Sequence, residues 1–116
     1  MYPLNLNYTE QAAKRIKYFC EFDPPIANAL HNLLRRISDG DSSGRAYREL
    51  DKNDQNQLRL LQALEFVRPG DTFTLHWDEL ESRALHTRVL VVVVFAVAKN
   101  TVVAVGYIPR QQATLR

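Results

Sequence analysis

The side chains that most often carry out chemistry are sparse in this chain and show no catalytic spacing. The three histidines, His31, His76 and His86, are not spaced as metal ligands are, and the single cysteine, Cys20, forms no motif with any of them. The four glycines are scattered, so the chain has no glycine-rich phosphate loop. The sequence therefore predicts no metal site and no cofactor.

Positive charge is concentrated in the last part of the chain. The net charge is only +2, yet no acidic residue follows Ser82, whereas five basic residues do. Such an asymmetry attracts a phosphate backbone, because each neutralised phosphate releases counterions. It equally keeps a valine-rich region soluble. On the first interpretation, the candidate RNA-binding residues are Arg83, His86, Lys99 and Arg116.

Length and composition indicate one cytosolic domain. A chain of 116 residues can bury a core without disulfides, and 46% hydrophobic with 24% charged residues is an ordinary globular composition. A lone cysteine suits a reducing compartment, where we expect Cys20 to be a buried helical thiol. No leader-like segment opens the sequence, and its longest apolar run is about half of what a membrane helix needs. We therefore expect a cytoplasmic protein that does not enter a membrane.

The dominant structural signal is a valine-rich β-hairpin from Arg88 to Ile108. β-Branched residues favour strands, and Lys99 and Asn100 separate the two valine runs as a short turn. Almost every position from Val89 to Ala98 is apolar, which predicts cover on both faces of that strand. The upstream helices can cover only one face, so we expect the other to meet a protein partner, a second copy or a substrate. The candidate interface residues are Val92, Val94, Val103 and Val105.

A strand and a helix are predicted near the start of the chain. Residues Leu4 to Tyr8 alternate apolar and polar, as a short edge strand does, with both leucines on one side. Asn7 or Thr9 can cap a helix that runs to about Phe19. The predicted buried face of this helix contains Ala12, Ile16, and Phe19 or Cys20.

A second helix and a less certain third follow. Asp23 is a good N-cap and Pro24 fits the first turn of a helix. A short helix is expected within residues 45–66, ended by Pro69 and Gly70. The predicted buried stripe of the second helix is Ile26, Leu30, Leu33 or Leu34, and Ile37.

After Gly70 the apolar period changes from helical to two. Phe73, Leu75 and Trp77 point one way and Thr74 and His76 the other, which predicts a strand with one buried and one polar face. Residues 78–87 form either a short helix or a long crossing. The order β-α-α-(α)-β-β-β predicts an α+β fold, in which an antiparallel sheet of about four strands carries two or three helices on one face.

This order of elements, with three stretches of sequence, resembles the RelE/ParE superfamily of small bacterial toxins, including its HigB-type branch. The opening LNLNYTEQAAKRI is similar to the first strand and helix of that family. The stretch RVLVVVVFAV, which begins at Arg88, resembles its Tyr-Arg-Val strand, and NTVVAVGYIPRQQ resembles its last strand and basic tail.

The resemblance implies a toxin of a toxin-antitoxin system, which inhibits translation by ribosome-dependent cleavage of mRNA and is neutralised by a cognate antitoxin. In this branch the sheet face opposite the helices carries basic residues and often a tyrosine, with no metal. Arginine can stabilise charge on the phosphate, and a basic group or tyrosine can move the protons of a 2′-hydroxyl attack. By position, the implied catalytic residues are His76, Arg88, Arg110 and, nearby, Tyr107.

Departures from the family pattern keep other functions open. Thr87 stands where the family has the tyrosine of Tyr-Arg-Val, and Leu115 stands about where a late catalytic tyrosine is expected. On a straight strand Tyr107 and Arg110 point to opposite faces, unless the chain breaks at Pro109. One alternative is a non-enzymatic interaction module, phage or bacterial, whose valine-rich sheet face binds a partner or a second copy. Another is a gyrase-inhibiting relative, which needs no catalytic residues.

Overall fold

The fold is α+β, as predicted, with two described helices packed against one sheet. The computed structural model describes residues 3–40, 44–46, 49, 72–82 and 86–109. The predicted short helix before Pro69 lies outside these residues. In the described part of the chain, no helix has the length and apolar character needed to cross a membrane. The elements are β1 (Asn7–Tyr8), α1 (Glu10–Phe22), α2 (Pro24–Ser38), β2 (Arg45–Ala46), β3 (Phe73–Ser82), β4 (Thr87–Ala96) and β5 (Thr101–Pro109).

The first helix, α1, is capped by a side chain at its start and by a backbone amide at its end. Thr9, one of the two predicted caps, accepts a hydrogen bond from the Ala12 amide at 3.2 Å. The helix extends past its predicted end to Phe22, where the Asp23 amide donates to the Phe19 carbonyl at 2.8 Å. Its buried residues are Ala12, Ile16 and Phe19.

The second helix, α2, matches its prediction. Asp23 caps it by accepting from the Ile26 amide at 3.5 Å, and Pro24 occupies the first turn. The chain leaves the helix through Gly40, whose φ of +89° is the left-handed conformation that glycine adopts at low cost. The buried residues include both alternatives of the predicted stripe and are Ile26, Ala27, Leu30, Leu33, Leu34 and Ile37.

The sheet has five described strands in the order β1-β5-β4-β3-β2. The central strands β3, β4 and β5 are antiparallel, as predicted. At one edge β1 runs parallel to β5, so the sheet is mixed rather than purely antiparallel. At the other edge the short β2 pairs with two residues of β3.

The predicted valine-rich hairpin consists of β4 and β5. Its turn spans four residues, Val97 to Asn100, rather than the two that the sequence suggested. Asn100 adopts a φ of +48°, which asparagine tolerates, and its amide donates to the Val97 carbonyl at 3.2 Å. A register shift opposite Val94 and Phe95 leaves Val103 as the extra residue of a β-bulge.

The strand β3 is longer than predicted. Residues from Asp78 to Ser82 continue the strand, as a partner of β4 up to the pair between Ser82 and Thr87. The prediction of a helix or a crossing is therefore wrong for this part of residues 78–87. An acidic segment has little strand propensity of its own, and pairing with a valine-rich neighbour imposes the extended conformation. His86, with a φ of +51°, then leads the chain into β4.

The first strand is shorter than predicted. Only Asn7 and Tyr8 pair with β5, because the preceding residues turn away from the sheet edge. Leu6 is buried, but Leu4 is 92% exposed. Leu4 therefore does not share the buried side of Leu6, and the prediction that both leucines lie on one side of a strand is wrong.

Both faces of the sheet are buried, as predicted for the strand β4. Its residues Val89, Val91 and Val93 pack with α1 and α2 in what we call the helix-side cluster. The alternate residues of β4 belong to a second-face cluster on the opposite side. The second-face cluster is already buried within a single chain. Its buried members are Phe73, Leu75, Leu90, Val92, Val94, Ala96, Val103, Ala104 and Ile108.

Candidate functional site

His76, one of the four catalytic candidates, lies in packed surroundings rather than on an open polar face. Its register with Val93 places it on the helix side of the sheet, and it is only 7% exposed. Its Nε2 lies 3.1 Å from the Thr74 hydroxyl oxygen, and its ring meets that of Phe95 at a centroid distance of 6.5 Å. A Cβ added at Gly44 would overlap the imidazole, so the backbone of Gly44 lies directly against it. The prediction that the face with His76 is polar, in contrast to a buried opposite face, is therefore wrong for His76.

Two further candidates, Arg88 and Tyr107, lie on opposite faces of the sheet. Tyr107 packs its ring against Phe19 of α1, at a centroid distance of 5.9 Å. Arg88 is exposed on the second face, where its Nε donates to a carboxylate oxygen of Glu79 at 3.0 Å. The fourth candidate, Arg110, lies outside the described residues.

The described catalytic candidates do not share a reaction centre. His76 and Tyr107 belong to β3 and β5, which β4 separates. Two strand spacings of about 4.8 Å, together with an offset of two residues in register, place their backbones about 12 Å apart. The sheet itself separates both from Arg88. The four candidates were assigned by their positions along the chain relative to the family pattern. Such a match does not determine on which face of the sheet a side chain lies or which face the helices cover. These two properties decide which side chains meet.

The RNA-binding candidates do not form one basic surface in the described part of the chain. His86 precedes β4 and Lys99 follows it, and both are exposed. A strand of ten residues at about 3.3 Å per residue separates them by roughly 30 Å. Arg83 and Arg116 lie outside the described residues.

The four interface candidates are core residues in this conformation. Val92, Val94 and Val103 belong to the second-face cluster, whereas Val105 packs in the helix-side cluster. The bulge at Val103 explains the difference, because its extra residue breaks the alternation that would place Val103 and Val105 on one face. All four are buried within a single chain. This corrects the expectation that the second face is left open for a partner.

Neither a metal site among the described residues nor a similar known protein indicates the function of the chain. Among the described residues, no group of three or more histidine, cysteine, aspartate or glutamate side chains is arranged to hold a metal ion. Comparison with protein-family models, with curated proteins and with solved structures gave no match.

The outer face of α1 carries an exposed aromatic pair. Tyr18 and Phe22 are 49% and 66% exposed, and their ring centroids lie 4.9 Å apart. The guanidinium carbon of Arg15 lies 5.4 Å from the centre of the Tyr18 ring and 4.9 Å from that of Phe19. We call Arg15, Tyr18 and Phe22 the α1 surface.

The α1 surface was not predicted from the sequence, although the spacing of its two aromatic residues indicates it. Tyr18 and Phe22 are spaced i, i+4, one helical turn apart, but out of phase with the buried Ile16 and Phe19. Cys20 is also on the outside, which overturns the predicted buried thiol. The buried stripe was predicted to include either Phe19 or Cys20, and Phe19 is the buried one. Because each step along a helix rotates the side chain by about 100°, the next residue, Cys20, points away from the core.

Proposed function

We propose that this protein is a non-enzymatic cytoplasmic interaction module, whose α1 surface binds an apolar, acidic segment of a partner protein. The observation that supports it is the exposed, mutually contacting pair of Tyr18 and Phe22 beside Arg15. Tyrosine and arginine are enriched at the energetic centres of protein interfaces. A cytoplasmic location suits the exposed thiol of Cys20.

The geometry of the α1 surface suits a rigid contact. Arg15 already lies over the Tyr18 ring, so less side-chain entropy is lost when a partner orders it. Its guanidinium remains able to bind a carboxylate in a bidentate manner. Phe22 offers apolar area with few rotatable bonds. The partner segment therefore needs an apolar side chain for Phe22 and a carboxylate for Arg15.

The charge of α1 favours a protein partner over a nucleic acid. The helix carries three basic and two acidic residues, and Lys14 is already paired with Glu10 at 3.0 Å. Binding to phosphates draws on several unpaired cations at once. A nearly balanced helix with exposed aromatic rings is more typical of a protein interface.

The test selects peptides from a random display library on the immobilised full chain and measures their affinities by fluorescence anisotropy. We expect the selected peptides to combine acidic with leucine or phenylalanine residues. Phe22→Ala should weaken them by about thirtyfold, as at a hot spot. Val97→Ala, which trims an exposed apolar residue in the turn between β4 and β5 rather than in the α1 surface, is the matched control and should leave affinity unchanged.

Three outcomes would contradict this proposal. The first is undiminished binding to Phe22→Ala with an unchanged melting temperature. The second is displacement of the peptides by single-stranded RNA at the same salt concentration, which would favour a nucleic acid at this surface. The third is a dimer in sedimentation that Phe22→Ala dissociates, which would identify a second copy as the occupant.

Cleavage of mRNA by a RelE-like toxin stays a second proposal, supported by the α+β order of elements and by the exposed guanidinium of Arg88. On this proposal, expression of the chain arrests growth and a cognate antitoxin relieves the arrest. Arg88→Ala should also relieve the arrest, because the positive charge that stabilises the phosphate in the transition state of cleavage is removed. Arg36→Ala is the matched control, since Arg36 likewise pairs with a carboxylate, that of Asp78, at 3.5 Å. Harmless expression, or equal toxicity of Arg88→Ala, would contradict the proposal.

A further inference from the structure

A groove runs between α2 and the segment that precedes β1. It has a volume of about 670 Å³, and Pro3 and Asn5 form one of its walls. That wall is fixed by hydrogen bonds: the Tyr8 hydroxyl donates to the Pro3 carbonyl at 3.0 Å, and the Asn100 amide side chain donates to the Asn5 carbonyl at 2.7 Å. The Ser38 hydroxyl also donates to the Asn5 side-chain oxygen. The groove is therefore a built feature, not the space beside a loose terminus.

The opposite wall is one polar face of α2, which presents two carboxamides, a guanidinium and a carboxylate. Asn28, Asn32, Arg35 and Asp39 all line the groove and follow one another at steps of three or four residues, as neighbours on a helix do. Among the described residues, no ion pair includes Arg35 or Asp39. Both charges are therefore available to a ligand.

Two charged side chains are among the described residues that line the groove, Arg35 with a positive and Asp39 with a negative charge. His31 also lines it, and burial lowers the pKa of His31, with the positive charges of the N-terminal amine and of Arg35 adding to the effect. The imidazole is therefore neutral at pH 7. A ligand that carries one charge of each sign is complementary to Arg35 and Asp39.

We propose that this groove binds a free α-amino acid with a polar side chain. Arg35 binds the carboxylate through its planar pair of donors, and Asp39 binds the ammonium group. The two residues are one helical turn apart, about 5–6 Å between Cβ atoms, which fits two charges carried on the same carbon atom of the ligand. Asn28 and Asn32 lie further along the same face and bind the ligand's side chain by donating and accepting hydrogen bonds.

Simple anions suit this groove less well than a zwitterion. Asp39 repels them, and the groove reaches the C-terminal end of α2, where the helix dipole is negative. Inorganic phosphate is therefore a discriminating probe, because Arg35 alone would favour it.

The test is an NMR titration of the full chain with L-glutamine, N-acetyl-L-glutamine and L-glutaminamide. The second compound lacks the ammonium group and the third lacks the carboxylate. We expect saturable shifts of the amides between Asn28 and Asp39 with L-glutamine, and affinities about tenfold or more lower for both analogues. Absence of saturable shifts with L-glutamine, equal affinity of an analogue, or equal affinity of inorganic phosphate would overturn the proposal.

Two neighbouring arginines provide the control. Arg35→Gln should weaken L-glutamine by about tenfold or more, whereas Arg36→Gln removes the same charge from a residue that does not line the groove and pairs with Asp78 instead. Asp39→Asn should weaken the binding of L-glutamine but not that of N-acetyl-L-glutamine, which has no ammonium group for Asp39 to bind. Equal losses for Arg35→Gln and Arg36→Gln would overturn the proposal, and an unchanged spectrum of the free variant establishes that each is folded.

Discussion

The imidazole of His76 and the backbone of Gly44 pack against each other without room for an intervening methyl group. We predict that Gly44→Ala lowers the free energy of unfolding by about 1–3 kcal/mol, because Phe95 and Thr74 keep the ring from moving aside. Urea unfolding measures the loss. In a His76→Ala background the same substitution should cost much less, since the ring is gone. An equal cost in both backgrounds would show that the overlap is not the cause.

His31 makes stability depend on pH. Its pKa is lowered from the ordinary 6.5, so the unfolded chain takes up a proton more readily than the folded chain. The free energy of unfolding should therefore be at its full value above about pH 6.5–7 and decline as pH falls toward the folded pKa. His31→Gln should remove this decline.

Urea unfolding between about pH 5 and 8 measures the effect. His86→Asn is the control, because His86 is exposed on the connection into β4 and its replacement leaves His31 in place. A decline of equal size in His31→Gln and in the unmodified protein would contradict the assignment to His31.

For the candidate site, the alternation of side chains along a strand predicts which residues share a face of the sheet, but not whether that face is buried. The prediction that Thr74 and His76 share one side of their strand is consistent with their hydrogen-bonded contact. Which side the helices cover is set by the path of the whole chain, so the same alternation could not show that His76 is buried. The α1 surface could have been predicted from the sequence, because Tyr18 and Phe22 lie outside the buried stripe of their helix.

At the scale of elements, Thr9 joins α1 to the sheet. Its hydroxyl accepts from the Ala12 amide and donates to the Val103 carbonyl at 2.7 Å, at the bulge of β5. We predict that Thr9→Val lowers the free energy of unfolding by about 1–2 kcal/mol, because an N-cap and a bond to the sheet are lost together. Thr9→Ser keeps the hydroxyl and should cost less than half as much. Equal stability of Thr9→Val and the unmodified protein in thermal unfolding would refute this role.

Elements with local signals were predicted, and elements imposed by their partners were not. The caps Thr9 and Asp23 and the apolar stripes define α1 and α2, and the valine runs define β4 and β5. The continuation of β3 through Asp78 and Glu79 has no such signal, since acidic residues disfavour strands, and it follows from pairing with β4. The edge strand β1 was predicted as a strand, but its parallel pairing with β5 depends on a contact distant in sequence and was not predicted.

At the scale of the molecule, β4 belongs to two cores at once. Val93 packs in the helix-side cluster and Val92 in the second-face cluster, and both are fully buried. A strand that supplies both clusters couples them, so neither is expected to lose its packing while the other keeps it. The whole domain should then unfold in one cooperative transition.

We predict that Val92→Ala and Val93→Ala each lower the free energy of unfolding by about 2 kcal/mol and shift the same transition. The single tryptophan, Trp77, packs against the second-face cluster, whereas far-UV circular dichroism, which monitors secondary structure, reports on the helices α1 and α2 on the other side. Fluorescence and circular dichroism should therefore report coincident midpoints in urea for the unmodified protein and for both variants. If Val93→Ala moved the circular dichroism transition and left that of Trp77 in place, the two clusters would be separate folding units, and β4 would not couple them.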